Sequence, residues 1–364
     1  MKIAMLGTRG ITQRYSGIEV SLCELSNRLA SKGYEILVYC RKNKQDPKEK
    51  DLKQNLKLIF IPTVNSKHFG TIIHVFLSIL HLLKTNVDIV HFHALGPSFL
   101  SFIPRIFGKK VIVTIQGLDW KRKKWNPLAS MFLRLCEYSA MFFSNQIIVV
   151  SKTLKVYFEN KFNKNVSYVP NAISPPSNFF KISSSNLENR YILFAGRLVP
   201  EKCIHTLINA HKELNSDIKL KIAGEPSFTD KYVHYLKTIA NNKVDFLGSV
   251  DGKSIEELYQ NAYLFVLPSE VEGLSVSLLE AMCYRTCVLV SDITENLEVI
   301  GHCGVTFKTN DYHDLKNKLQ NLINNPKLVT EIGNKGQKRV LENYNWDNII
   351  TDIEKIYSSI GCNR

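Results

Sequence analysis

The chain has 364 residues, too many for one ordinary core and enough for two domains of about 150 to 190 residues each. Its composition, 45% hydrophobic and 22% charged, is that of a globular protein, and its eight cysteines include no Cys-x-x-Cys pair or finger-like Cys/His spacing, which excludes a zinc module and reads as buried thiols of a reducing compartment. Residues 1–180 hold 26 of the 47 Lys+Arg and 10 of the 33 Asp+Glu, a net of +16, while the remainder nets −2, so either the first half meets an anionic partner or its lysines simply solvate a surface.

In chain order, MKIAMLGTRG carries one lysine and a short apolar run before a glycine turn, a first strand (2–6) rather than a signal peptide. Residues 18–29 form an amphipathic helix, and 35–40 (EILVYC) and 58–61 are strands. The longest apolar tract, 71–83, contains His74 and His81 and falls short of the roughly 20 residues that span a bilayer; it reads as a helix, and the chain is expected in the cytoplasm. Strands follow at 88–91, 111–115 and 146–150. Residues 173–186, rich in Pro and Ser, are a linker, after which the pattern restarts with strands at 191–195, 219–223, 244–247, 264–267 and 287–290, with a helix between each and the next. Continuous apolar strands alternating with helices predict α/β architecture with parallel sheets covered on both faces. The expected organisation is two Rossmann-like domains, residues 1–170 and 173–344, facing each other across a cleft where strand carboxyl ends would hold a polar ligand, with a C-terminal helix in 345–364 crossing back to the first domain.

The sharpest motif is SEVEGLSVSLLEAM (269–282), a glycine-bearing loop directly after a buried strand that opens a helix with small residues. Such a helix start offers free N–H groups and a positive dipole end to phosphate oxygens. Glu272 lies in the loop and Glu280 about two turns into the helix, where a carboxylate suits a ribose hydroxyl pair. Alone, two glutamates at this spacing read more simply as solvated helix residues, since the spacing is frequent by chance. In Ala195-Gly196-Arg197-Leu198-Val199-Pro200-Glu201-Lys202 the two cations would stabilise the charge that grows on a departing diphosphate. No Asp-x-Asp occurs in the chain, so no metal clamp is indicated and no metal cofactor is expected.

These motifs, with Val169-Pro170-Asn171, Ala223-Gly224 and Asp245-Phe246-Leu247-Gly248, resemble in order and spacing the retaining GT-B glycosyltransferases of family 4, over essentially residues 1–357. The stretch Thr114 to Trp125 (TIQGLDWKRKKW) is similar to a bacterial polysaccharide, rhamnosyltransferase-like subgroup. The resemblance implies a nucleotide sugar as co-substrate, held by Gly17, Arg197, Lys202, Glu272, Gly273, Leu274, Ser275 and Glu280. It places catalysis at Glu272, Gln116, Arg197 and Lys202, and acceptor contacts at Arg9, Glu19, His93 and Asp119. On residues alone, Gly17 permits close backbone approach at a helix start. The histidines of His91-Phe92-His93 are either acceptor contacts or core histidines satisfied by backbone. The chain departs from the family pattern at Gln116, where histidine is usual, at Ser16, where a second glycine is usual, and at Cys203, where glycine follows the lysine. Glutamine donates and accepts hydrogen bonds but carries no charge.

The expected activity is transfer of a sugar to a cell-surface glycan acceptor, lipid-linked, with retention of configuration and with domain closure excluding water. Rival readings are a nucleotide-sugar epimerase, which needs no basic face, and a catalytically silent scaffold, which Gln116 keeps open. Nucleic acid is not an expected partner: the charge fits, but no recognition helix, RNA-binding sheet or zinc module stands behind it. Three basic clusters, 41–57, Arg105 with Lys109 and Lys110, and Lys121 to Lys124 beside Trp125, suggest docking on the anionic inner face of a membrane. Trp120 and Trp125 would then sit at the headgroups or, equally, in the core.

Overall fold

The computed structural model describes residues 1–11, 17–42, 53–64, 70–123, 125–175, 190–250 and 252–361. It divides into two compact units, one formed by Met1–Asn171 with Asp347–Arg364, the other by Ala172–Trp346. Of the sequence features singled out above, Ser16, Lys124, Cys362, most of the 41–57 cluster and much of the 173–186 linker lie outside the described residues.

Unit 1 is built on seven parallel strands: β1 (Lys2–Leu6), β2 (Glu35–Arg41), β3 (Leu56–Ile61), β4 (Ile89–His93), β5 (Lys110–Ile115), β6 (Gln146–Val149) and β7 (Ser167–Tyr168), in the order β3-β2-β1-β4-β5-β6-β7. Parallel neighbours need crossovers, supplied here by α1 (Gly17–Ser31), α2 (Gly70–Leu82), α3 (Phe102–Ile106), α4 (Pro127–Phe143) and α5 (Lys152–Phe162). Helices on both faces leave the central strands nowhere to meet water, so β1 and β4 are buried almost throughout. Ile3 pairs with both Ile36 and Ile89, which fixes β1 as the centre from which the strand order runs both ways.

Unit 2 repeats the plan with six parallel strands: β8 (Tyr191–Ala195), β9 (Lys219–Ala223), β10 (Val244–Gly248), β11 (Ala262–Leu267), β12 (Cys287–Ser291) and β13 (Val305–Phe307), ordered β10-β9-β8-β11-β12-β13. Its helices are α6 (Ile204–Lys212), α7 (Asp230–Ile239), α8 (Gly252–Asn261), α9 (Val276–Cys283), α10 (Thr294–Ile300), α11 (Tyr312–Asn324) and α12 (Pro326–Asn343). The break in strand order falls between β1 and β4 in unit 1 and between β8 and β11 in unit 2, the positions at which open α/β sheets bind ligands.

The last helix, α13 (Trp346–Gly361), belongs to unit 1 from Asp347 onward. Its buried Ile349, Ile350, Ile353, Tyr357 and Ile360 recur at helical spacing, giving one apolar face. Tyr357 is fully buried, and its hydroxyl meets His91 Nδ1 at 2.8 Å, so the helix closes over β4. Lys32 and Glu354 add an ion pair at 2.5 Å.

Strand β4 runs two residues beyond the extent read from sequence, so His93 lies within it, as His91 does, rather than after it. Their rings are on one face with centroids 4.0 Å apart, as residues two apart on a strand must be. Of the seven described cysteines, five are buried, and burial pushes the Cys136, Cys283 and Cys287 thiols up to about 12.

Candidate functional site

In unit 2 the loops that leave β8 and β11 lie together. Glu270 N–H donates to the Glu201 carbonyl at 3.0 Å, joining the turn of Pro200–Lys202 to the 268–275 loop. Lys202 Nζ forms an ion pair with the Glu272 carboxylate, with side chains only 12% and 10% exposed. The two residues expected to serve the reacting centre therefore hold each other. A pair this buried is costly to break, because either partner left alone is a desolvated charge. Arg197, half-buried, follows Gly196 in the same turn.

Close packing of backbone shapes this end of the sheet. Gly196 N–H donates to Ala223 O at 3.0 Å, and Gly224 N–H to Gly248 O at 2.7 Å. Gly224 has φ +143°, and a Cβ there would lie 1.8 Å from Gly196 O, so only glycine fits. This accounts for the Ala-Gly and Leu-Gly motifs as the packing of adjacent strand ends. Cys203, where the family has glycine, adopts φ 49° and ψ 37°, the left-handed region that glycine enters without strain.

Helix α9 starts at Ser275, whose hydroxyl accepts from Leu278 N–H at 3.4 Å and lies 3.1 Å from Ser277 Oγ. Gly273, Leu274 and Ser275 are buried beneath this start. Glu280, little more than one turn on, is no freely solvated glutamate: it accepts a hydrogen bond from Tyr259 Oη at 2.9 Å. Tyr259 is almost fully buried, and burial, followed by the Glu280 charge, raises its phenol well above the usual value, so it remains a donor. Tyr259 lies on α8, 21 residues before Glu280, and no sequence spacing announces the contact. A second link runs behind the loop, where Ser291 Oγ donates to Ser269 O and Asn296 Nδ2 to Ser291 Oγ at 2.9 Å, all three residues buried.

In unit 1 the loops after β1 and β4 approach each other. A Cβ on Gly7 would lie 3.1 Å from Pro97 Cβ and 3.2 Å from His93 N. Gly10, at φ +115°, passes so close to the end of β2 that a Cβ would lie 2.6 Å from Cys40 Sγ. Gly17 opens α1, and Glu19 in its first turn is buried. Arg9 and Glu19 act electrostatically on one guanidinium, Arg41: burial and the Arg9 charge lower its pKa, and Glu19 opposes them. Arg41 escaped the sequence reading as a site residue because it was grouped with a surface lysine cluster. It instead donates to Thr71 Oγ1 at 2.6 Å.

The two histidines of β4 separate in role. Both ring nitrogens of His91 are engaged, with Tyr357 at 2.8 Å and Thr114 Oγ1 at 2.7 Å, so it is a core histidine. His93 is 3% exposed, burial lowers its pKa to about 3, and its Nε2 has no hydrogen-bond partner among the described residues. Gln116 follows β5, and its Oε1 accepts from Asn171 Nδ2 at 3.2 Å. Asp119 is 3.0 Å from Arg122, with which it forms an ion pair. Trp120 donates to the fully buried Glu137 at 2.7 Å and carries Arg134 over its ring at 4.3 Å, so it braces α4 in the fold rather than reaching outward. Among the described residues no group of three or more His, Cys, Asp or Glu is arranged to hold a metal ion.

Two parallel Rossmann-like units in one chain define the GT-B class of fold. The family follows from comparison: residues 15–175 match the model described as Glycosyltransferase Family 4, and residues 177–339 the model described as Glycosyl transferases group 1. Each unit is thus matched by one glycosyltransferase model. It is similar to an uncharacterized glycosyltransferase of Methanocaldococcus jannaschii, 30% identical over 63% of each chain. The capsular polysaccharide biosynthesis glycosyltransferase CapM of Staphylococcus aureus is 27% identical over 68% of this chain and 70% of its own. An N-acetyl-D-galactosaminyltransferase of Campylobacter jejuni, named for a diNAcBac-PP-undecaprenol-linked substrate, is 29% identical over 58% of this chain and 59% of its own. Among solved structures, Anabaena HepE in complex with UDP and glucose superposes with a TM-score of 0.81 at 17% identity, covering 99% of this chain and all of the other. The matches thus span about three fifths to 70% of the length of these curated relatives.

Proposed function

We propose that the protein transfers a sugar from a nucleotide-sugar donor held by unit 2 to a lipid-linked cell-surface glycan held by unit 1, with retention of configuration, on the cytoplasmic side of a membrane. The observation that carries this reading is the donor half-site of unit 2, where Lys202 and Glu272 pair at the break in strand order, beside Arg197, the capped start of α9 and Glu280 held by Tyr259. In the proposed reaction the bond from the anomeric carbon to the diphosphate oxygen breaks through an oxocarbenium-like state. The acceptor oxygen bonds to the same face, and its proton passes to a phosphate oxygen of the departing diphosphate. Arg197 and Lys202 stabilise the charge that develops there, without a metal ion. The Campylobacter relative supports the lipid-linked acceptor, and the UDP in the Anabaena structure makes UDP the first nucleotide to test.

Isothermal calorimetry with UDP tests the donor site. Arg197→Ala should weaken binding about ten- to hundred-fold, the loss of a charged hydrogen bond of about 1.5–3 kcal/mol. Unchanged affinity would remove the assignment. Wild-type protein that binds a nucleotide sugar but neither transfers nor hydrolyses it, with or without a chelator, would make the chain a binding scaffold. Gln116→Ala should lower transfer strongly while Gln116→His preserves it, since either side chain can offer a neutral hydrogen bond at that position.

A further inference from the structure

Eight of the 17 large apolar side chains exposed among the described residues fall between Ile106 and Phe143. Six lie on α4, and five of them, Leu128, Met131, Leu135, Tyr138 and Phe142, are 46–72% exposed. Their spacing of three and four residues draws one stripe along a 17-residue helix, about 25 Å long. The opposite face, with Leu133, Cys136, Ala140 and Met141, packs on unit 1. Phe143 meets Phe102 of α3 at 5.9 Å, which continues the apolar surface to Ile106 and Phe107, both more than 60% exposed. A single helix with two apolar faces, one of them bare, calls for an occupant.

The charges around the stripe identify the occupant. Residues 102–164 contain 12 Lys+Arg and three Asp+Glu. Of the three acids, Glu137 is fully buried and paired with Lys161, Asp119 is paired with Arg122, and Glu159 with Lys155. Arg134 is exposed on α4 itself, and Lys164 sits over the Phe142 ring at 4.8 Å. Two copies of this face would oppose their own positive rims, whereas an anionic lipid surface supplies both the apolar layer and the opposite charge.

From this we infer that α4, with the end of α3, lies in the headgroup layer of an anionic membrane and inserts Leu128, Met131, Leu135, Tyr138 and Phe142 among the acyl chains. The inference builds on the proposal of a lipid-linked acceptor but relies on a different surface from the donor site. Insertion is interfacial, since no helix among the described residues is long and apolar enough to cross a membrane.

The test is sedimentation of the whole protein with phosphatidylcholine vesicles made with and without phosphatidylglycerol, alongside UDP titration and light scattering. Wild type should bind the phosphatidylglycerol vesicles preferentially. The triple variant Leu128→Ser, Leu135→Ser, Phe142→Ser should bind them at least about ten-fold more weakly, with UDP affinity unchanged. Tyr235→Ser, an exposed aromatic of unit 2, should bind as wild type. Lys164→Glu should weaken binding to the anionic vesicles only. Equal binding by wild type to both lipids, no binding to either, or full binding by the triple variant would overturn the inference. So would a wild-type dimer that the triple variant converts to monomer with no change in vesicle binding. UDP binding distinguishes failure here from failure of the donor site.

Discussion

Lys202 and Glu272 carry two jobs that ordinary mutagenesis would confound. With both side chains nearly buried, removing the cation leaves Glu272 as an uncompensated charge, at a cost of about 3 kcal/mol to the fold, besides whatever donor binding is lost. Lys202→Ala should therefore lower the urea midpoint and weaken UDP binding together. Combining Lys202→Met with Glu272→Gln should recover most of the stability while UDP affinity stays low. If stability and affinity recovered together, the lysine would be a strut and no phosphate ligand. Tyr259 and Glu280 call for a simpler test: Tyr259→Phe deletes the hydroxyl that donates to the carboxylate, a hydrogen bond to a charged group that contributes about 1.5–3 kcal/mol.

The strand-end turns show what a sequence can and cannot announce about an element. Ala94, directly after β4, has φ 153°, a region that side chains with a Cβ rarely enter. Ala94→Gly should raise stability by about 1 kcal/mol, and Ala94→Val should lower it by more, as read from urea midpoints. The 268–282 segment was legible because its chemistry is local: a strand, a glycine loop and a capped helix follow one another in the chain. The parallel strands were legible for the same reason, through unbroken runs such as VIVTI. Two contacts and one electrostatic influence were not legible, because each joins residues far apart in sequence: Tyr259 to Glu280, Asn171 to Gln116, and the charges of Arg9 and Glu19 on Arg41. His91 and His93 carry the same side chain two residues apart, and only the positions of Thr114 and Tyr357 make one a core residue. Helix α4 is a further case, since its apolar residues are spread around the helix and only the fold decides which stripe is covered.

At the scale of the molecule the two units respond differently to acid. Burial lowers His74 to about 4 and His93 to about 3 and holds His91 well below its usual value, all in unit 1, whereas in unit 2 it lowers His211. An unfolded imidazole takes up a proton as pH falls through about 6.5, whereas these native ones do not. The unfolded chain then binds more protons, so their contribution is complete above pH 6.5 and drains away below it. Each costs about 1.4 kcal/mol per pH unit, and three cost about 4 kcal/mol per unit in the range from about pH 6 to 4. Hydrogen exchange at about pH 5 should show unit 1 opening before unit 2, and simultaneous opening would refute this. The assignment of Asp347–Arg364 to unit 1 reaches beyond the finished molecule. A ribosome makes unit 1 first, but the helix whose Tyr357 caps His91 emerges only after all of unit 2. The usual order, in which the leading domain folds as it is made, should therefore be reversed. A nascent chain stalled after Trp346 should carry a protease-resistant unit 2 and a protease-sensitive unit 1, although the latter left the ribosome earlier.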